Sequence, residues 1–104
     1  MQFIIIAHDG DDEGALARRL AAREGHLATS AAGIKTGEHL VGAALLDDAG
    51  KMRGSVMIVE YPSRKEVDEW LAKEPYVTGG VWKKIEVIPC KIGPSFEHLV
   101  KRKV

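Results

Sequence analysis

An unbroken run of β-favouring apolar residues near the start of the chain constrains the fold more than any other feature. Residues 3–7 read FIIIA, so a strand formed by them is apolar on both of its faces. Such a strand needs apolar cover above and below it. The polar turn at residues 8–12 ends the run well short of the ~18 apolar residues of a membrane span. Because no basic segment precedes the run, we expect neither a signal peptide nor a transmembrane helix.

Composition limits the class of protein further. The chain has 104 residues, and its 15 basic and 15 acidic side chains give a net charge of zero. This balance argues against nucleic acid or an acidic membrane surface as a partner. The single cysteine, Cys90, cannot form an intrachain disulfide, and no Cys/His cluster has the spacing of a zinc site. We therefore expect one cytoplasmic domain without a metal or a cofactor.

Hydrophobic patterns predict the element order β-α-β-β-α-β. The strands are expected at residues 3–7, 38–46, 53–61 and 81–88. A turn-forming sequence at residues 47–51 joins the middle two strands as a hairpin. Ser63 and Glu66 have the spacing of a capping box at the start of the second helix, and Pro75 interrupts that helix.

The first helix is expected at residues 12–32, with Gly33 as its C-terminal stop. If each residue turns by about 100°, one narrow apolar stripe contains Leu16, Leu20, Leu27 and Ile34. We expect this stripe to be the core face of the helix. Arg23 lies inside the stripe and His26 lies on its flank, where a helix that serves only the core would carry Leu or Ala.

This element order is typical of the ferredoxin-like α+β sandwich, in which both helices cover one face of a four-stranded sheet. The other face has no cover within 104 residues, although the first and third strands carry apolar residues on both faces. We therefore expect a second copy of the chain to cover it in a back-to-back dimer. The domain is predicted to span residues 1–92, and residues 93–104 are predicted to form a tail with a short amphipathic helix.

His26, Arg23 and Glu74 are the main candidates for chemistry. A histidine transfers protons near neutral pH, and an adjacent arginine binds an anionic group. The alternative is a surface histidine beside an arginine whose stem packs along the stripe. Glu74 ends the apolar face of the second helix, where a partly buried carboxylate orients a histidine or holds a proton. The alternative for Glu74 is a solvated glutamate in a last turn.

Other polar groups give weaker indications. Ser55 begins the third strand after a glycine and is a candidate donor to a substrate oxygen, but no nucleophile elbow surrounds it. His8 ends the first strand, which is a frequent place for groups that face a ligand, and the alternative is an exposed turn residue. His39 and His98 are expected at the surface, and Cys90 is expected to be unreactive.

Three segments, in order and spacing, resemble motifs of the YciI-like (YCII-related) family. They are REGHL at residues 23–27, GSVMI at residues 54–58 and EPYVTGGVW at residues 74–82. The corresponding family motifs are R-x-x-H-L, G-S-x-x-I/V and D-P-Y/F-x-x-x-G-V/L. The resemblance implies a dimeric ferredoxin-like α/β-barrel with a site built on a histidine and an acid. His26 matches the family histidine, and Glu74 stands where the family has aspartate.

Dehydrochlorination of a substituted aromatic ring is a known activity in this family. Together with the polar groups on apolar faces, the resemblance predicts a cofactor-independent lyase or isomerase that acts on a small aromatic or anionic molecule. His26 is expected to transfer the proton, and Glu74 is expected to orient His26 or to stabilise its charged form. Substrate contacts are expected from Arg23, Ser55, Tyr76 and His8. The alternative is a non-catalytic dimeric module that binds a small ligand in the same pocket.

Overall fold

The computed structural model describes residues 1–100, and its elements follow the predicted order. The strands are β1 (Gln2–Asp9), β2 (His39–Leu46), β3 (Met52–Glu60) and β4 (Trp82–Cys90). The helices are α1 (Ala15–Thr36), α2 (Arg64–Leu71), α3 (Pro75–Thr78) and α4 (Glu97–Val100). The strands form one four-stranded antiparallel sheet in the order β2-β3-β1-β4. This is the α+β architecture of the ferredoxin-like fold that the sequence pattern predicted.

The alternation of side chains along β1 decides which residues the helices cover. Phe3, Ile5 and Ala7 are almost fully buried and belong to one core that also contains residues of α2 and α3. Ile4 and Ile6 lie between them in sequence and therefore point to the other face of the sheet. β1 is thus apolar on both faces, as its sequence predicted.

The helices leave one face of the sheet uncovered, and we call it the open face. Cross-strand register places on it Ile4, Ile6, Val41, Ala43, Val56, Ile58 and Ile88. Val41 and Ile88 are 49% and 44% exposed. In a monomer, this apolar surface is in contact with water.

Both ends of α1 differ from the prediction. The helix begins at Ala15, because Asp12 lies in the preceding turn and its carbonyl oxygen accepts the Ala15 backbone N–H. It continues past Gly33 to Thr36. Gly37 is the true C-terminal stop, since its φ of 83° is the left-handed conformation that glycine adopts without strain.

The prediction that the leucine stripe of α1 faces the core was wrong. Leu20, Leu27 and Ile34 are 53%, 47% and 49% exposed. The buried residues of the helix are instead Ala15, Arg19 and Gly33. The positions of α1 that face the sheet are small or polar because the buried guanidinium of Arg19 and the buried imidazole ring of His39 occupy the space there. The longer apolar side chains of Leu27 and Ile34 line a groove between α1 and β2.

The predicted capping pair at the start of α2 is present in a different form. Ser63 is the N-cap residue, but its hydroxyl donates to the Glu66 carboxylate and makes no hydrogen bond to the backbone of the helix. Pro75, which was predicted to interrupt this helix, begins the separate short helix α3. A proline is suited to this first position because its missing N–H would have no helical partner there.

The predicted tail contains a 3-10 turn at Pro94–Phe96 followed by the single turn of α4. Residues 101–104, which complete the predicted tail, lie outside the described residues. Within residues 1–100, no helix combines the length and the apolar character needed to cross a bilayer.

Candidate active site

A buried carboxylate contacts a histidine ring between α1 and α3. Glu74 is the residue before α3, and its side chain is fully buried. Its Oε1 accepts the backbone N–H of Tyr76 at 3.3 Å and also contacts Nδ1 of His26. His26 comes from the middle of α1, and its side chain is 12% exposed. The structure therefore brings together the histidine and the acid that the motifs singled out.

Two aromatic rings hold the plane of the His26 imidazole. The Tyr76 ring stacks on it, with centroids 4.0 Å apart and 16° between the planes, and the Trp82 ring meets it edge-on at 5.9 Å. Burial raises the pKa of the Tyr76 hydroxyl, so this phenol stays protonated at neutral pH. Because Glu74 contacts Nδ1, the nitrogen that remains for a ligand is Nε2, which no residue within 1–100 hydrogen-bonds.

A buried ion pair that the sequence analysis missed lies beside this histidine. Arg19 donates from Nη1 to both carboxylate oxygens of Asp9, at 3.0 and 3.1 Å, and the two side chains are 4% and 2% exposed. Its guanidinium also lies over the Tyr76 ring, 4.7 Å from the centroid. One sequence signal was available, because Arg19 precedes His26 by about two helical turns and the two therefore share a helix face.

The hydroxyl of Ser55 is held by two donors. Arg19 Nη2 donates to Ser55 Oγ at 2.9 Å, and Trp82 Nε1 donates to the same oxygen at 3.3 Å. The residue before it, Gly54, lies so close to β1 that a Cβ there would be 2.4 Å from the carbonyl oxygen of Ala7. Packing of β3 against β1 therefore needs glycine before Ser55, as in the Gly-Ser motif.

A pocket of about 320 Å³ lies between α1 and β2, next to the contacts just described. Its polar wall is formed by Arg19, Arg23, His26, Ser30, Ser55 and Tyr76. Its apolar wall combines Leu27 and Ile34 of α1 with Met57 of β3 and with residues 40–44 of β2. The pocket therefore suits a small molecule that has an apolar body and a few polar groups.

Five of the six predicted site residues lie in or directly behind this pocket. Arg23, His26, Ser55 and Tyr76 line it, and Glu74 supports His26 from behind. The structure does not bring His8 to the pocket. His8 pairs with Gly54 and Lys84 in the sheet and points to the open face, because its neighbours in β1 point toward the helices.

The prediction that His39 lies at the surface was wrong. His39 is 4% exposed and lines the pocket, with Nε2 lying 3.1 Å from the Tyr61 hydroxyl and its ring edge-on to Trp70 at 4.8 Å. A Cβ at Gly33 would be 2.3 Å from this ring. Burial lowers the pKa of His39, and the nearby Glu74 carboxylate partly opposes that shift. Over residues 1–100, no three His, Cys, Asp or Glu side chains come together as metal ligands would.

Comparison with known proteins identifies the family of the chain and two relatives of similar sequence. The sequence pattern of the YCII-related domain matches residues 1–91. The chain belongs to the YCII-related family. Protein YciI from Escherichia coli O6:H1 and Protein YciI from Shigella flexneri are each 31% identical to it over 97 residues, which cover 88% of this chain and 97% of the relative. The resemblance predicted from the three motifs is thereby confirmed.

A solved structure with a similar fold is that of 5-chloro-2-hydroxyhydroquinone dehydrochlorinase (TftG) from Burkholderia phenoliruptrix AC1100, in complex with 2,5-dihydroxybenzoquinone. It is 28% identical to the chain and superimposes with a TM-score of 0.75, over 91% of this chain and 98% of the dehydrochlorinase. A relative of this fold thus holds a small hydroxylated quinone.

Proposed function

We propose that the chain is a cofactor-independent enzyme that carries out elimination or isomerisation on a small hydroxylated ring by proton transfer at His26. The observation that carries this proposal is the contact between the buried Glu74 carboxylate and Nδ1 of His26 in a ligand-sized pocket. A carboxylate at Nδ1 fixes the tautomer of the ring and stabilises its protonated form. Nε2 then takes a proton from the substrate and returns it in a later step.

The dehydrochlorinase supports both the class of reaction and the class of substrate. It shares the fold along nearly the whole chain, and its name describes removal of hydrogen chloride from a hydroxylated ring. The apolar wall and the stacked Tyr76 and His26 rings of the present pocket suit such a flat molecule.

The elimination balances without a cofactor. In a keto tautomer of the ring, the carbon that bears chlorine is saturated. His26 Nε2 takes a hydroxyl proton, the O–H electron pair forms a new carbonyl, and the shift passes through the ring double bond to expel chloride with the C–Cl pair. The substrate loses one proton and one chloride, and no oxidant is consumed. Ser55 and Arg23 hold substrate oxygens during this step.

The test is release of chloride from 5-chloro-2-hydroxyhydroquinone. General acid–base catalysis contributes about 100-fold or more. We therefore expect His26→Ala to lower the rate by at least about 100-fold, and Glu74→Gln to lower it less, because the histidine remains. His98→Ala is the matched control, since His98 is an exposed histidine of α4 outside the pocket, and its rate should equal that of the unmodified chain.

A folded His26→Ala variant with the unmodified rate would remove His26 from the mechanism. If the unmodified chain binds the chlorinated ring by calorimetry but releases no chloride, the enzyme proposal gives way to a non-catalytic module that binds a small ligand.

We also propose that a second copy of the chain covers the open face, so that the two sheets together form an α/β-barrel. All four strands present apolar side chains on that face, and those of Val41 and Ile88 are exposed, which supports this assembly. A symmetric partner presents the same apolar surface and needs no second gene product.

A further inference from the structure

We infer that the pocket selects a planar ring carrying an ionised ring oxygen, a phenolate or an enolate, and that Ser55 and Arg23 recognise this oxygen. The inference rests on the proposed function, and it adds the charge state in which the substrate is bound. It follows from which polar groups of the pocket donate hydrogen bonds and which accept them.

The first step concerns the hydroxyl of Ser55. Its two established partners, a guanidinium and an indole nitrogen, are obligatory donors, so Oγ accepts from both Arg19 and Trp82. The Ser55 proton must then be donated elsewhere, and within residues 1–100 no protein acceptor takes it. Because Ser55 lines the pocket, its hydroxyl presents a donor, and not an acceptor, to a ligand.

The second step concerns the acids near the pocket. The Asp9 carboxylate is bound on both oxygens by Arg19, and the Glu74 carboxylate is held behind His26. Among the described residues, no aspartate or glutamate lines the pocket itself. A ligand anion therefore meets no repelling carboxylate in the wall.

The third step concerns positive charge. The charge of Arg19 is balanced by Asp9, whereas Arg23 is exposed at the pocket and makes no ion pair with any residue of 1–100. Arg23 is thus an unbalanced cation that lines the same pocket as the Ser55 hydroxyl donor. This combination stabilises an oxyanion more than a neutral oxygen, since hydrogen bonds to charged groups are roughly twice as strong.

The test compares the binding of three probes at neutral pH by calorimetry. 2,5-Dihydroxybenzoquinone has ionised ring oxygens, hydroquinone is a ring of similar size whose hydroxyls stay protonated, and benzoate carries its charge on a carboxylate outside the ring. We expect the dihydroxybenzoquinone to bind at least about ten-fold more tightly than either of the others.

Substitutions assign this preference to residues. Ser55→Ala should weaken binding of the dihydroxybenzoquinone about ten-fold and binding of hydroquinone about three-fold or less. Arg23→Gln should weaken binding of the dihydroxybenzoquinone by about three-fold and leave binding of hydroquinone unchanged. The loss for the dihydroxybenzoquinone should shrink as salt is added. Arg18→Gln is the matched control, because Arg18 is an arginine of the same helix that lies outside the pocket and pairs with Asp12.

Several results would overturn the inference. One is that hydroquinone or benzoate binds as tightly as the dihydroxybenzoquinone. Another is that a folded Ser55→Ala protein binds the dihydroxybenzoquinone with unmodified affinity. Arg23 is exposed, so Arg23→Gln keeps the fold and decides the question if Ser55→Ala does not fold. Chloride release is measured separately. His26-dependent release without anion preference would overturn only this inference, and anion preference without release would overturn only the proposed reaction.

Discussion

His39 couples the stability of the pocket to pH. Burial lowers its pKa below the ordinary value of 6.5, and the nearby His26 adds to this shift, while the Glu74 and Glu38 carboxylates oppose it. The unfolded chain therefore binds a proton at this histidine at a higher pH than the folded chain does. By linkage, the stability contributed by the neutral ring is complete above pH 6.5 and is lost as pH falls from 6.5 toward the lower folded-state pKa.

We therefore expect the free energy of unfolding to fall between neutral pH and mildly acid pH, with at most about 1.4 kcal/mol per pH unit coming from this one group. Urea titrations across that range measure it. His39→Gln keeps a hydrogen-bonding group near the Tyr61 hydroxyl but cannot titrate, so its profile should be flatter. Protonation of the other histidines contributes to both profiles and cancels in their difference. Identical profiles would mean that His39 does not cause the pH dependence.

At the residue scale, the sequence was informative where chemistry is local. Glu74, Pro75 and Tyr76 are consecutive, so a short motif describes the carboxylate and the turn that buries it. The partners of Arg19 are distant in sequence, and a charged residue in a helix is typically solvated. Its burial became visible only when Asp9 of β1 and Ser55 of β3 were placed beneath α1.

At the element scale, α1 shows why an apolar stripe did not identify the buried face. The stripe predicted that leucine would face the sheet, but the buried residues of the helix are Ala15, Arg19 and Gly33, with Gly33 against the ring of His39. Strand positions were predictable because short runs of β-favouring apolar residues and a hairpin turn specify them locally. The orientation of a helix on a sheet depends instead on the volumes of side chains from other strands.

Gly33→Ala tests this account of α1. Alanine stabilises a helix interior by about 1 kcal/mol over glycine. A Cβ 2.3 Å from the His39 ring nevertheless forces the helix and β2 apart, and overpacking of this kind costs about 1–3 kcal/mol. We expect net destabilisation, measured by thermal or urea unfolding.

The double substitution Gly33→Ala with His39→Ala supplies the control. It removes the ring that the new methyl group would meet, so the two effects should not add. Gly33→Ala made in a chain that already carries His39→Ala should be neutral or stabilising. Additive losses in this double-mutant cycle would mean that Gly33 serves some purpose other than accommodating His39.

At the scale of the whole molecule, the fold explains why a chain of 104 residues with an ordinary apolar fraction leaves apolar side chains uncovered on one face of its sheet. Two helices can cover only one side of a four-stranded sheet. The row formed by Val41, Ile58 and Ile4 crosses three neighbouring strands on the open face. Because successive side chains of a strand point to opposite faces, the apolar residues of β1 and β3 made this surface predictable from the sequence, whereas its proposed cover lies in a second chain.

If a second copy is that cover, one charge at the centre of the row should separate the pair. Ile58→Lys places an ammonium where two apolar faces would meet, and an unpaired buried charge is expensive, whereas in a monomer the same side chain reaches water. We expect the unmodified chain to sediment as a dimer and Ile58→Lys as a monomer. Leu20→Lys is the matched control, since Leu20 is 53% exposed on the outer side of α1, and it should remain dimeric. An unmodified chain that is monomeric at every concentration would leave the open face without its proposed partner, and a dimeric Ile58→Lys variant would place the interface elsewhere.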